Sequence, residues 1–455
     1  MLMFNSDFKQ EANLRRVYTI TLALFSLVFF ARSFSSYFVC DDFQFLGRVN
    51  FSNAGAYLTK TWGYGNEYRP FLPYTYALDG LVSGDRPYGY HATNTLLHVT
   101  NSLLVARLAL LIGLSAEIAA WGGLIHLLNP VAHEAFLWIS GRPVVLSTFF
   151  VLACVNVFLS ALRQRQPPTG LWVAVYVLFI LGLATYELAI VTPLLAAFLV
   201  CFAKEKVHSY RNHIVALLAI AGAYAVFWIW FFDFRFTRIR IEHSFLQIAI
   251  NFGAALAHTL HGSLRPEIGV VYLLLWAVLC RTHRGRWLSL AGLIGFAIAY
   301  LPYFATKGYA DRFAYLSSAA TAIVLAASLT EGIGTRKYLR YGLAALFLAY
   351  LATGMQNRIS AWKEAGEIAR AVQVQVKETL PVFPSDREVV LLDVPLMHKR
   401  SYVYLTSLDR ALERQYPGTK IHFRTSIDSS IDDSAIILQY STGRMVRRTL
   451  AEVKN

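Results

Sequence analysis

Charge is what this chain has least of. Only 15% of its 455 residues are Asp, Glu, Lys or Arg, where a soluble domain carries about a quarter. That deficit excludes an ordinary soluble enzyme and a disordered protein. Cysteine is scarce too, at four residues. Cys40, Cys154, Cys201 and Cys280 show no metal or redox spacing, so neither a disulfide framework nor a zinc site is expected. Missing as well are a Gly-rich phosphate loop, a Walker pattern and a dinucleotide fingerprint, which speaks against a nucleotide donor. The order His-Glu-x-x-His is absent, because Leu137 stands where the second His of a zinc protease would follow His133-Glu134.

Apolar residues fill the space: 56% of the chain is hydrophobic and the mean hydropathy is +0.44. They arrive in blocks, 17–34, 94–113, 117–131, 144–162, 170–186, 188–203, 214–232, 268–281, 287–305, 313–330 and 338–355. By the ~20-residue rule these predict about eleven transmembrane helices, in an all-α polytopic membrane protein. The first block reads as an uncleaved signal anchor. The net charge of +14 then reflects cytoplasmic loops and anionic lipid, not nucleic acid. Arg15-Arg16, Arg163 and Arg165, Lys204 to Arg211, Arg281 to Arg286, and Arg336 to Arg340 all fall on one side when the N-terminus is cytoplasmic. That count makes 245–262 an interfacial or re-entrant helix on the outer face. The long outer loops are 35–92 and 233–267. Residues 1–355 thus form a transmembrane unit and 356–380 an amphipathic linker helix. Residues 381–455 form a small extracytoplasmic α/β domain, with strands expected at 388–394, 422–425 and 435–440 and a helix near 402–414.

Chemistry-bearing residues gather in the outer segments. Asp41 and Asp42 follow the first span, either as a solvated loop or as a general base with a second carboxylate. Arg69, between Tyr68 and Pro70, suits phosphate or an interfacial anchor role. His91, Asn94, His98 and Asn101 share one arc of the second span, and His126, Asn129 and His133 repeat the device in the third. Such stripes face a polar cavity or bond helix to helix. Glu134 and Arg142 bind a sugar and a phosphate, or pair with each other. Glu187 points into the same cavity or lies on an exposed turn. Lys307, Asp311 and Arg312 precede the tenth span. With Arg69 and Arg235 they place cations opposite to the positive-inside bias, a profile for a phosphorylated lipid headgroup.

The motifs in this order are the Asp41-Asp42 pair, Tyr68-Arg69-Pro70, Gly89-Tyr-His-x-x-Asn-x-x-x-His98, Asn129-Pro-Val-x-His-Glu-Ala135 with Ser140-Gly-Arg142, and Asp311-Arg-Phe-x-Tyr-Leu-x-Ser318. Over roughly residues 15–330 the set resembles the GT-C glycosyltransferases. It looks most like the tetratricopeptide-repeat O-mannosyltransferases and their bacterial relatives, the glycosyltransferase family 39-like proteins. Two features depart from that pattern: an α/β domain replaces the C-terminal repeats, and the acidic run is short. The resemblance implies a hexosyltransferase that moves a sugar from a polyprenyl-phosphate donor to a protein or glycan hydroxyl on the extracytoplasmic face, with inversion. On it, Asp41 is the base, and Asp42 orients the acceptor or holds a divalent cation (Mg or Mn). Arg69, Arg142 and Arg312 meet the departing phosphate. Glu134 and the His91/His98 stripe shape the sugar pocket, with His133 and Lys307 counted among the donor-binding residues. A bacterial inner membrane is the expected location. The rival readings are a flippase for lipid-linked sugars and an oligosaccharide ligase or polymerase using a lipid diphosphate.

Overall fold

The computed structural model describes residues 4–61, 67–202, 210–232, 244–261, 277, 279–304, 306, 308–332, 337–384, 387–419, 421–427, 431 and 434–454. A mostly helical bundle results. Its main elements are α1 (Phe4–Phe29), α2 (Leu72–Ser83), α3 (Pro87–Leu111), α4 (Ala116–Leu128), α5 (Arg142–Leu162), α6 (Thr169–Leu183) and α7 (Thr192–Phe202). They are followed by α8 (Arg211–Phe231), α9 (Phe245–His261), α10 (His283–Tyr300), α11 (Ser318–Ala327) and α12 (Lys337–Thr379).

The helix boundaries follow local chemistry. Pro87 opens α3, where its missing N–H is not needed. Gly113, at φ +84°, lets the chain reverse after α3. The Ser115 hydroxyl then accepts from Ile118 N (3.3 Å) to start α4. Asn129-Pro130 ends α4, since the residue before a proline avoids helical geometry.

Among the described residues four helices are long and apolar enough to cross a membrane: Pro87–Leu111, Ile139–Leu162, Arg211–Phe231 and His283–Tyr303. Among the described residues five shorter apolar helices stand where further spans are expected, including Arg16–Phe29, Thr169–Leu183 and Ser318–Glu331. By helix length the described residues thus show four of the expected spans in full; breaks such as Asn129-Pro130 and Tyr186-Glu187 shorten other elements. The block 268–281 lies almost wholly outside the described residues, as does much of the loop 233–267. The segment 245–262 does form one helix, α9. Asn251, Ala255, His258 and Thr259 are buried on one side of it, while Phe245 and Leu246 are exposed. The block 338–355 and the amphipathic segment 356–380 are not separate. They run on as the single 43-residue helix α12.

The C-terminal region carries β1 (Val389–Leu392), β2 (Met397–His398), β3 (Ser401–Tyr402), α13 (Leu408–Gln415), β4 (Ile436–Ser441) and β5 (Arg444–Arg448). The sheet order is β1-β4-β5, with β1 parallel to β4 and β4 antiparallel to β5. The expected strand at 422–425 is reduced to one parallel bridge, Val390 to Arg424. This sheet does not stand apart from the bundle. Tyr402, Val403 and Tyr404 belong to the same hydrophobic core as Phe38, Phe43 and Trp138. Tyr404 Oη donates to Ala369 O of α12 (2.8 Å), and Cys40 N donates to Val403 O (2.8 Å). Ion pairs Arg48–Glu413 and Arg414–Asp85 close the rim.

Gly366 tests this docking. A Cβ there would lie 2.7 Å from Tyr37 N and 2.9 Å from Tyr37 O. Gly366→Ala should push α12 off the loop and destabilise by about 1–3 kcal/mol, read as a lower thermal midpoint in detergent micelles.

Candidate active site

Asp41 and Asp42 lie on one 3-10 turn, Cys40–Gln44, yet face opposite ways. Asp42 turns inward and is buried. Its Oδ2 accepts from Val39 N (3.0 Å), and its Oδ1 accepts from Ser140 N (2.9 Å) and the Ser140 hydroxyl (2.6 Å). It bolts the first loop to the Ser140-Gly141 turn. Both oxygens are engaged, and among the described residues no group of three His, Cys, Asp or Glu is arranged to hold a metal. The residues do not fit a cation at Asp42, and that role is replaced by a structural one.

Asp41 turns to an open cavity. Gln44, Glu67, Arg69, Tyr186, Arg312 and Thr406 share its lining. Asp41 Oδ1 accepts from Gln44 Nε2 (2.6 Å), the Thr406 hydroxyl and the Ser407 hydroxyl (3.3 Å). All hydrogen bonds described for this carboxylate end on Oδ1, which leaves Oδ2 for a ligand.

Two guanidiniums face Asp41. Arg69 bonds Glu67 Oε2 (3.0 Å), pairs with Glu187 at 3.6 Å and lies over the Tyr186 ring at 4.4 Å. Its Nε is buried with no hydrogen-bond partner among the described residues. Arg312 Nη1 donates to Glu134 Oε2 (3.2 Å) and to Tyr402 Oη (2.9 Å). Tyr402 Oη in turn donates to Glu134 Oε1 (3.2 Å). Burial opposes the charge on both arginines, but the Glu67 and Glu187 carboxylates beside Arg69, and the Glu134 carboxylate beside Arg312, raise their pKa values overall.

A second layer fixes Arg312. The neighbouring Asp311 is buried, 2.9 Å from His133 Nε2 and 2.7 Å from His258 Nδ1. His133 Nδ1 accepts from Trp362 Nε1 (2.9 Å), so its ring proton sits on Nε2, toward Asp311. Burial raises the Asp311 carboxyl, yet the hydrogen bonds from the two histidines bring it well below the usual carboxylate range. His133 and Glu134 therefore support the site from behind and do not line the cavity.

Arg142 and His91 leave the site altogether. Arg142 is fully buried. Its Nε donates to Asn94 Oδ1 (2.7 Å) and its Nη2 to Tyr90 O (3.0 Å), and it pairs with Asp79. It knits α5 to α2 and α3 and has no access to a phosphate. His91 Nε2 meets Ser36 O at 3.0 Å. The polar stripes serve the same end. Asn94 donates to Trp138 O (3.2 Å), His98 meets Tyr315 Oη (2.8 Å) and Leu127 O (3.0 Å), and Ser102 meets His126 (3.0 Å). They bond helix to helix inside a dry bundle and do not line a watery chamber. Lys307 lies outside the described residues.

Several residues that line the cavity or hold its lining in place carry no sequence signal of their own. Thr406 and Tyr402 come from the C-terminal region, more than three hundred residues from Asp41 in number order. Glu67 sits beside the Tyr-Arg-Pro triplet, and His258 lies within α9; adjacency to a motif is the one clue available for the first.

No family model matches the chain. Protein O-mannosyl-transferase TMTC3 of Mus musculus and of Homo sapiens are each 29% identical to it over 120 residues, covering 26% of this chain. The match spans 13% of the length of these curated relatives. ArnT from Cupriavidus metallidurans, solved with bound undecaprenyl phosphate, superposes with a TM-score of 0.55 at 12% identity, over 90% of this chain and 86% of that one. Arabinofuranosyltransferase AftD from Mycobacteria gives 0.51 at 14% identity, over 89% of this chain and 31% of that one. At such identities the likeness is one of fold. The chain shares the polytopic membrane fold of these two structures, the fold that its resemblance to the GT-C glycosyltransferases implied.

Two structural assignments are open to direct test. Arg142→Met leaves Asp79 buried and unpaired and should remove about 3–5 kcal/mol of stability, partly restored by adding Asp79→Asn. Thermal unfolding in detergent reads both. Burial pushes the Asp42 carboxyl up to about 7, against the pull of the Ser140 and Val39 hydrogen bonds. Between about 4 and 7 the native state therefore keeps a proton that the unfolded chain, with its ordinary value near ~3.9, has released. Stability should fall as pH rises through that window, and Asp42→Asn should flatten the slope.

Proposed function

We propose that this protein is an integral-membrane glycosyltransferase that moves a sugar from a polyprenyl-phosphate donor to an acceptor hydroxyl at the extracytoplasmic face. One observation carries the reading: Asp41 and Arg69 of the first outer loop and Arg312 from a distant segment line a single cavity at the rim of an apolar bundle. A carboxylate facing two guanidiniums is what such a transfer needs. ArnT, which shares the fold, was solved with undecaprenyl phosphate bound. That supports a lipid-phosphate donor here.

The chemistry follows from the geometry. Asp41 Oδ2 takes the proton of the acceptor hydroxyl as that oxygen attacks the anomeric carbon. The bond from that carbon to the phosphate oxygen breaks on the opposite face, so the configuration inverts. The electron pair leaves with the polyprenyl phosphate, and the proton on Asp41 passes to solvent. Arg69 and Arg312 stand where negative charge develops on the phosphate, and guanidiniums match phosphate oxygens in fork geometry. Thr406, Ser407 and Gln44 hold Asp41 by Oδ1, which keeps Oδ2 aimed at the acceptor. Glu134 and Tyr402 orient Arg312.

Release of labelled sugar from polyprenyl-phosphate hexoses by the purified protein is the test. Asp41→Asn should lower turnover by roughly 10²–10⁴ while the thermal midpoint holds. Arg312→Ala or Arg69→Ala should each lower it by about 10²–10³. Full turnover by Asp41→Asn removes this carboxylate from the reaction.

A further inference from the structure

Between Arg340 and Arg358 the helix α12 carries no charged residue, a stretch of about 25 Å. Arg358 therefore marks where α12 leaves the bilayer, on the side that carries the cavity. The C-terminal region reaches down toward the same level. Tyr404 Oη donates to Ala369 O (2.8 Å), and two residues earlier the Tyr402 ring lies 5.8 Å from that of Trp362. Between these contacts the chain descends about 10 Å along α12 toward the membrane. Next comes the hairpin of β2 and β3, with Met397 opposite Tyr402 and His398 opposite Ser401. Lys399 and Arg400 form its two-residue turn.

That turn is strained and positively charged. Lys399 and Arg400 both hold left-handed backbone, at φ +45° and +70°, a geometry that two-residue hairpins usually meet with Asn-Gly. Such strain gathers at ligand sites. The exposed Lys399 ammonium shares Glu364 with His398, each at 2.7 Å. Neither Arg400 nor Arg358 has a hydrogen bond or an ion pair among the described residues. Burial depresses the pKa of Arg358; Asp311 and Glu134 pull it back, and Arg400 depresses it further. Those two carboxylates are already engaged, Asp311 by His133 and His258 and Glu134 by Arg312. Unpaired cations on this face run against the positive-inside bias. Leu396 and Met397, beside the turn, are 55% and 47% exposed. Cations flanked by exposed apolar side chains are the pattern of segments that sit in a lipid headgroup layer. Neither arginine lines the cavity of Asp41, so the pair faces a different ligand.

We propose that Arg358 and the Lys399–Arg400 turn hold the phosphate of an anionic bilayer lipid, and that the occupied turn steadies Tyr402. A phosphate diester supplies the acceptor oxygens that two unpaired guanidiniums lack. A bilayer lipid brings them to the level where α12 leaves the membrane. Tyr402 stands two residues beyond Arg400, in β3, and its hydroxyl accepts from Arg312 Nη1 (2.9 Å) and donates to Glu134 Oε1 (3.2 Å). A lipid at the turn reaches Arg312 through that one short strand. The effect on Arg312 rests on the glycosyl-transfer reading of the cavity; the binding of the lipid does not.

Binding is read by native mass spectrometry of the full-length chain in detergent micelles, titrated with phosphatidylglycerol and, in parallel, with phosphatidylcholine. The unaltered chain should retain phosphatidylglycerol selectively. Arg358→Gln combined with Arg400→Gln should weaken retention roughly thirtyfold, each cation near the surface contributing about fivefold. Arg400→Gly should lose its share while the thermal midpoint holds or rises, because glycine relieves the left-handed backbone. Arg447→Gln is the control. It lies on β5, whose Met445 N donates to Gln375 Oε1 far up α12 from the bilayer, and it should change nothing. Retention untouched by the double variant overturns the proposal. So does an equal loss in Arg447→Gln, which makes net charge the cause, or displacement of the lipid by inorganic phosphate, which makes this a site for a soluble anion. Sugar release is then measured in nanodiscs. Phosphatidylglycerol should raise turnover of the unaltered chain and not of Arg400→Gly. Turnover that ignores the lipid in both removes the link to Tyr402. Absence of any transfer sinks the catalytic reading and leaves the binding result to judge the site.

Discussion

Asp311 sits between two imidazoles, 2.9 Å from His133 and 2.7 Å from His258, and the cavity rim is built outward from that carboxylate. His133 comes from the turn after α4 and His258 from α9, so one side chain ties together three segments distant in sequence. The next residue is Arg312. Its backbone N–H and its guanidinium both bond Glu134 Oε2 at 3.2 Å, and its Nη1 also reaches Tyr402. A guanidinium on a long side chain has many rotamers, and these partners select one. In a dry setting each hydrogen bond is stronger than in water and each missing one more costly. The result is a cation held in place before any ligand arrives.

The same dryness explains what the polar stripes do. His98, Asn101, His126 and Asn156 lie buried inside the bundle, and they bond carbonyl oxygens or, for His126, the Ser102 hydroxyl across helices. From the sequence, a stripe that lines a chamber and a stripe that fastens two helices look alike, because both need polar residues on one helical arc. Arg142 illustrates the difficulty. Ser-Gly-Arg reads as a phosphate motif beside Glu134, yet the partner that decides its role is Asp79, sixty-three residues earlier and unmarked by any motif.

Much of the architecture was nonetheless legible. Long apolar blocks located nearly every described helix of the bundle, since a helix with no polar face must be buried or meet lipid. The amphipathic 245–262 segment was readable as a helix apart. What failed were boundaries: α12 runs through the composition shift near 356 because backbone hydrogen bonding continues wherever no Pro or Gly cap interrupts it. In the site, Asp41, Arg69 and Arg312 were marked by motif, and the cavity brings them together. Tyr402 and Thr406 were not, because contacts made across several hundred residues leave no local pattern. β5 escaped notice for a related reason: Arg444–Arg448 is rich in arginine and becomes a strand only by pairing with β4.

Charge balance shows how the cavity can admit a phosphate. With no ligand, Arg69 is shared between Glu67 and Glu187, and Arg312 is matched by Glu134. On the proposed reading, a lipid phosphate arriving at Arg69 adds negative charge to a place where two carboxylates already outweigh one guanidinium. Glu67 offers a way out. Burial raises its carboxyl above the ordinary value even beside Arg69, with Glu187 and Asp41 pushing the same way. A phosphate nearby pushes it further the same way, which weakens the hold of Glu67 on the guanidinium. Arg312 has no such exchange to make, because Glu134 is locked to it from behind by Tyr402. The two arginines therefore act at different moments. Arg69 trades a carboxylate for the donor as it binds, and Arg312 stays fixed to meet the charge that builds as the sugar leaves.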